Sequence, residues 1–254
     1  MFRFHFVNFL TKIMSGHSKW ETTKRSKAVV DAKRGAVFTK MANLITIAAK
    51  EKGGDPDANF SLRMAIEKAK SANMPKDNIE RAVKRGTGEL EGEQIIELIY
   101  EGIGPVNSQF IIKSLTDNKN RSAATIRHIF TKNGGAFGSV MWNFERKGVV
   151  RILNEELEKN NLNNEDFELE LIDAGAEDIK KEEEGVTIFT KTENLQNLQQ
   201  FLDSKNIQAE SADLEYVAKK ESNPTETEKE RLEKFIEELE DCEDISDYYT
   251  NLNV

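Results

Sequence analysis

The sequence predicts an α+β protein of three domains: an N-terminal three-helix domain, then two α/β ferredoxin-like domains, the last inserted in the middle one. Three observations carry this. The 254 residues exceed the usual size of one domain. The apolar pattern runs at helical spacing as far as residue 86 and alternates thereafter. Charge divides the chain at nearly the same place. Residues 14–88 hold sixteen Lys and Arg against eight Asp and Glu, a balance of +8. Residues 1–13 add +2, which leaves −19 on residues 89–254 out of a net −9. A basic module carried on an acidic body is the simplest account of that division. A merely solvated charged face is the alternative.

The helical part comes first. Val37, Met41, Leu44, Ile45 and Ala48 fall on one stripe of a helix read over Ser26 to Lys52, and Gly53-Gly54 stops it. The loop Asp55-Pro56-Asp57 leads to a second helix from Ser61, with Leu62, Ala65, Ile66 and Ala69 inward. A third begins at Pro75, a residue suited to the first helical turn. It places Asp77 near the positive helix end, turns Ile79, Ala82 and Val83 inward, and ends at Gly86.

Strands follow. Ile96, Leu98 and Tyr100 form one alternating set and Phe110 and Ile112 another, with Gly104-Pro105 turning between them. Asn118 to Asn133 reads as a helix closed by Gly134-Gly135, and Val140, Trp142 and Phe144 alternate as a third strand. Residues 148–208 then read β-α-β-β-α-β, the split β-α-β order. Its strands are Val149 to Leu153, Asp178 to Glu182, Val186 to Thr190 and one near Ile207. Its helices lie around Phe167, Leu171 and Ile172 and over Leu195 to Leu202. A strand at Leu214 to Ala218, a helix opened by the capping box Thr225-x-x-Glu228 and a strand through Tyr248-Tyr249 end the chain. Residues 91–147 have too few elements to close a sheet alone. The expected organisation is therefore an extension (1–13), a basic helical domain (14–90), a domain made of 91–147 plus 211–254, and an insert (148–210).

Composition excludes several function classes. No apolar run approaches the roughly 20 residues of a bilayer span, so no membrane partner is expected. A lone cysteine, Cys242, forms neither an internal disulfide nor a cysteine metal site, and a reducing, cytoplasmic location fits. His5, His17 and His128 lack metal-ligand spacing, and no nucleophile elbow or phosphate-binding glycine loop is present. No catalytic residue, metal, cofactor or small-molecule substrate is expected, and no oligomeric state follows from the sequence.

Nucleic-acid chemistry is better supplied. Lys19, Lys24, Arg25, Lys27, Lys33, Arg34 and Lys40 crowd a stretch whose only acids are Glu21 and Asp31. Phosphate contacts by Lys and Arg release condensed counterions whatever the base sequence. Trp20 beside them either stacks on a base, worth about 1–3 kcal/mol, or staples the N-terminal segment onto the helices. Lys76, Arg81, Lys84 and Arg85 form a second basic group sharing part of one helix face. Arg121 and Arg127 are weaker candidates, for a cleft between domains. No base-reading element is evident, so phosphate and shape recognition is expected. Reversing Lys24 and Arg25 to Glu should abolish association without unfolding the chain.

The motifs also resemble a family. Met14-Ser15-Gly16-His17-Ser18-Lys19-Trp20, Asp31-Ala32-Lys33-Arg34-Gly35 and Phe38-Thr39-Lys40 are similar to the opening of the YebC/PmpR family. GGDPDAN (53–59) and LRMAIEKAKSANMPKDNIERAVKRG (62–86) continue the match, followed by TDNKNR (116–121), RHIFTKNGGAFG (127–138) and GSVMWNFERKG (138–148). The likeness is strong through 148 and rests on hydrophobic spacing beyond. It implies the same three-domain organisation and a start at Met14. It also implies a non-enzymatic regulator of gene expression, either a transcriptional regulator on duplex DNA or a translation factor on ribosomal RNA that relieves stalling at difficult sequences such as proline runs. The −19 body, repelled by flanking duplex, and the missing recognition helix tilt the physical reading toward the ribosome.

Overall fold

The computed structural model describes residues 34–253 apart from 93, 161, 163 and 164. The chain opens with α1 (Arg34–Lys52), α2 (Phe60–Ser71) and α3 (Lys76–Thr87). Ile45, Leu62, Ala69, Ile79 and Ala82 close a core between them. The GGDPDAN run is a corner built on Asn59, which is fully buried. Its Oδ1 accepts from Leu62 N at 3.1 Å, capping α2, while its Nδ2 donates to Ala48 O and Gly53 O, both at 2.8 Å. One amide therefore ties the end of α1 to the start of α2.

The third helix does not end at Gly86. It runs on to Thr87 and closes at Gly88, in the left-handed region at φ 81°. Gly86 instead serves the packing of two helices, since a Cβ there would lie 2.4 Å from Thr46 O and 2.7 Å from the Ala49 side chain. Only a glycine lets α1 and α3 cross so closely.

The middle sheet has the order β3-β1-β2-β8. Its strands are β1 (Ile96–Ile103), β2 (Gln109–Thr116), β3 (Ala136–Phe137) and, at the end of the chain, β8 (Ile245–Thr250). All neighbours are antiparallel. Helix α4 (Lys119–Lys132) and the late helix α8 (Glu226–Asp241) cover one face. Phe110, Phe130 and Phe235 meet there edge to face with centroids 5.1–6.4 Å apart. Gly102 leaves room for the Phe130 ring, which a Cβ would approach to 2.3 Å. The layout is four antiparallel strands under two helices. The wiring differs from the ferredoxin-like one, because the β1-β2 hairpin joins the two central strands.

The expected third strand through Val140, Trp142 and Phe144 is absent. Met141–Asn143 is a 3-10 turn, and Phe144 starts a different strand, β4 (Phe144–Leu153). Helices α5 (Asn154–Lys159) and α6 (Glu165–Asp173), strands β5 (Ala176–Lys181) and β6 (Gly185–Thr190), α7 (Leu195–Ser204) and β7 (Ser211–Ala218) complete the second sheet. Its order is β5-β6-β4-β7. β4 and β5 are split by β6, as the β-α-β-β-α-β reading requires.

Two boundaries shift. Ile207 is buried in the connection, and the last strand of the insert is β7, paired from Phe144↔Ala218 to Arg151↔Ser211. Leu214 to Ala218, expected with the middle sheet, therefore belongs to the insert's sheet. The cause is that β4 would otherwise present an unpaired edge of backbone donors and acceptors. Helix α5 has no counterpart in the sequence reading, and Ile172 on α6 is 54% exposed.

The three bodies touch one another. Ile111, Val140, Phe144 and Tyr249 form a small core where the open face of the middle sheet meets the insert, and Tyr216 lies 5.4 Å from Tyr249. Buried Asn143 fastens the crossing, donating to Gln109 Oε1 at 2.8 Å and Lys220 O at 3.0 Å and accepting from Lys220 N at 3.1 Å. The bundle meets the insert through Phe60, which packs on the insert's core, and through the pair Arg63–Asp203 at 3.8 Å. Among the described residues no helix is long and apolar enough to cross a membrane.

Candidate nucleic-acid interface

The sequence points to cations, and the fold decides which of them face outward. Lys19, Trp20, Lys24, Arg25, Lys27 and Lys33 lie outside the described residues; Arg34 is the first residue of α1. On α3, Lys76, Arg81, Lys84 and Arg85 are all exposed. They are not equivalent. Lys76 pairs with Glu80 at 3.5 Å. The Arg81 guanidinium folds back along its own helix to Asp77 O at 3.3 Å and to Asn78 Oδ1. Among the described residues Lys84 and Arg85 form no ion pair. Adjacent in the last turn of α3, they are the cations most open to a phosphate.

The helix crossing at Gly86 adds to this group. It brings the end of α1 against the end of α3, with Gly54 in contact with Val83 and Thr87. Lys50 and Lys52, both exposed in the last turn of α1, thereby join Lys84 and Arg85 at one end of the bundle. The sequence reading passed over these two lysines. The available signal was their place in the last turn before Gly53-Gly54, where a cation also favours the negative helix end.

Lys40 sits elsewhere. Its half-buried side chain turns away from this face, and its ammonium donates to Glu240 O at the end of α8. Burial lowers its pKa below the ordinary lysine value against the raising pull of Cys242, Glu240, Asp247 and Asp241. Asn43, one turn on, donates to Leu115 O at 3.2 Å. The two side chains dock the bundle onto the middle sheet, so the Lys40 charge is used within the protein.

Arg121 is likewise engaged, bonded to Asp244 at 2.8 Å and Asp117 at 2.9 Å, with its pKa raised chiefly by its bond to Asp244. Arg127 lies over the Phe137 ring at 5.1 Å. The partners of both are residues of the middle domain. His128 is exposed on α4, and among the described residues no group of His, Cys, Asp and Glu is arranged to hold a metal. Cys242 closes α8 with a buried thiol whose pKa is raised by burial.

The matching patterns are described as the TACO1/YebC N-terminal domain over residues 18–89 and the TACO1/YebC second and third domain over residues 95–252. The chain belongs to the TACO1/YebC family. A "Probable transcriptional regulatory protein" of Natranaerobius thermophilus is 43% identical over 247 residues, covering 95% of this chain and 97% of that protein. One of Caldanaerobacter subterraneus is 42% identical over 244 residues, covering 95% and 99%. The crystal structure of a conserved hypothetical protein from Aquifex aeolicus superposes with a TM-score of 0.75 at 38% identity, covering 89% of this chain and 92% of that one. Names within the TACO1/YebC family thus point to a regulatory protein.

Proposed function

We propose that this protein is a non-enzymatic, nucleic-acid-binding regulator of gene expression whose helical bundle grips phosphates. The observation that carries the reading is that the last turns of α1 and α3, which bear exposed Lys50, Lys52, Lys84 and Arg85, lie against each other at one end of the bundle, with no ion pair at Lys84 or Arg85 among the described residues. The dense basic stretch Lys19 to Lys33 precedes α1 in the sequence and is proposed to supply further phosphate contacts. Such cations contribute through counterion release rather than base reading. The names of the relatives make duplex DNA in transcriptional control the first target to test.

A second reading, a translation factor on ribosomal RNA, is favoured by two observations. The 89–254 body carries −19, which flanking duplex would repel. Asn78, the residue of α3 best suited to hydrogen-bond a base, already accepts from Arg81.

The test is a binding titration of the full chain against duplex DNA and against structured RNA across a salt series. Lys84→Ala with Arg85→Ala should weaken binding about tenfold or more. It should also flatten the slope of log affinity against log salt by roughly two, one per phosphate contact. An unchanged slope would remove this face from the interface, and preference for one nucleic acid at equal salt separates the two readings.

A further inference from the structure

The bundle meets the middle sheet near Leu115 and Glu240, at the Thr116 end of β2. The opposite end, beyond Ile103 and Gln109, is made of two loops held by specific bonds. In the first, Gly104 N donates to Ser108 O at 2.7 Å and Ser108 Oγ to Pro105 O at 2.6 Å. Between them Val106 sits at φ 54°, a left-handed conformation that a β-branched residue rarely adopts.

In the second loop, one oxygen of Glu101 accepts from the backbone N–H groups of Val140 and Met141, each at 2.7 Å. The Trp142 indole N–H donates to Ser139 O at 3.2 Å, and Trp142 O accepts from Lys219 Nζ at 3.2 Å. All this bonding holds out an indole that is 64% exposed. Ile103, also exposed, reaches the same loop at Gly138, where a Cβ would lie 3.6 Å from it. A loosely tethered loop would let the indole fold onto the sheet and shed water. This one is built to keep it outside.

Cations lie on the helix-covered side of the first loop. Pro105, Lys132, Asn133, Gly134, Arg231 and Lys234 line a cleft of about 310 Å³. The carboxylate beside it, Glu238, is bonded to Lys132 at 3.0 Å and Asn133 at 3.3 Å, while Arg231 and Lys234 remain exposed. An open aromatic face and a cation-lined cleft at the same end of one domain match a base and the phosphates of the strand that carries it. Duplex bases are stacked away from such a face, so the ligand must be unpaired.

We propose that this tip is a second nucleic-acid contact: the base of an unpaired nucleotide stacks on Trp142, and the adjoining strand runs its phosphates past Arg231 and Lys234. The proposal rests on the nucleic-acid reading of the bundle. A looped-out RNA segment and a separated DNA strand share this chemistry. The strand β1, which runs from the docking point of the bundle to the tip, is eight residues long, about 26 Å at 3.3 Å per residue, so a partner touching both the bundle and the tip must be extended or large.

The two tryptophans are Trp20 and Trp142, so the full chain carrying Trp20→Phe reports on the tip by its own emission. It is titrated with a dye-labelled single strand of about 12 nucleotides, as RNA and as DNA, and with the corresponding duplexes. Dye anisotropy reads binding and tryptophan emission reads the tip. Expected are a rise in anisotropy with quenching of Trp142, a loss of roughly 5- to 150-fold in single-strand affinity on Trp142→Ala, and most of that affinity kept by Trp142→Phe. Arg231→Ala with Lys234→Ala should weaken binding and flatten its salt dependence. The RNA and DNA arms identify which strand is taken. Binding with unchanged emission and unaltered affinity in Trp142→Ala, or binding of duplex alone, overturns the tip while the reading of the bundle stands. No binding of any probe by the chain with Trp20 intact, read by anisotropy, overturns both.

Discussion

The bundle and the insert treat the same chemical group in opposite ways. At the end of the bundle Lys84 and Arg85 stand in water. In the insert Arg151 is buried within the sheet, its guanidinium bonded to both oxygens of Glu215 at 2.7 and 3.0 Å, each residue no more than 5% exposed. The pairing is incomplete, since Arg151 Nε and the Oγ of Ser211, its cross-strand neighbour, find no hydrogen-bond partner among the described residues. Burial opposes the charge, yet Glu215, with Glu182 and Asp213 behind it, holds the arginine pKa above its ordinary value. Lys40 lies between these extremes, at a joint between domains. A charge count therefore says little about function until the fold assigns each charge to solvent, to a joint or to a core.

The comparison is broken most sharply at Arg151. Arg151→Met leaves Glu215 buried without its partner and should cost about 3–5 kcal/mol, while Arg151→Met with Glu215→Leu should recover most of that loss. Chemical denaturation of the three proteins measures both. An Arg151→Met chain as stable as the parent would mean that the pair carries no structural weight. Lys40→Met comes next. Losing the bond to Glu240 O should cost about 1–2 kcal/mol, partly offset by removing a buried charge. Nucleic-acid affinity should stay within about twofold. A large fall in affinity would return Lys40 to the interface.

Thr225→Ala removes one half of the α8 capping box and should cost about 0.5–2 kcal/mol. The other half responds to acid. Glu228 has its pKa lowered by accepting from the Thr225 backbone N–H, at 2.8 Å. For Glu238, burial raises the pKa but the bonds from Lys132 and Asn133 prevail, so it too is lowered. A folded-state pKa below the unfolded one means that this stability is present above the ordinary carboxylate range near about 4.3. It is lost as pH falls through the lowered values. Thermal melts between about pH 6 and 3 should show the loss, reduced in Glu228→Gln. The smallest effect on stability, within about 0.5 kcal/mol, is expected for Lys84→Ala with Arg85→Ala, although the pair should weaken nucleic-acid binding about tenfold or more.

Much of the fold was legible because it is written in local periodicity. The bundle helices, the Thr225 cap and the split order of the insert follow from apolar spacing and turn residues alone. Trp142 shows where that stops. It lies two residues from Val140 and two from Phe144, both buried, so alternation placed it in a strand with them. A carboxylate on β1, Glu101, instead winds the segment into a 3-10 turn and turns the indole out. The Lys50–Lys52 and Lys84–Arg85 grouping was hidden for a similar reason, because a glycine more than thirty residues along the chain brings the two helix ends together.

By itself the sequence determined the family, the helical and sheet elements and the division into a basic module and an acidic body, since these depend on composition and on contacts between near neighbours along the chain. Only the tertiary structure decided that β7 closes the insert's sheet, that Lys40 serves a domain joint while Lys84 and Arg85 face water, and that Trp142 is held out at the tip. Each of these depends on which backbone edge, carbonyl or carboxylate a distant segment supplies, and the energy of satisfying or desolvating such groups appears only when the segments meet.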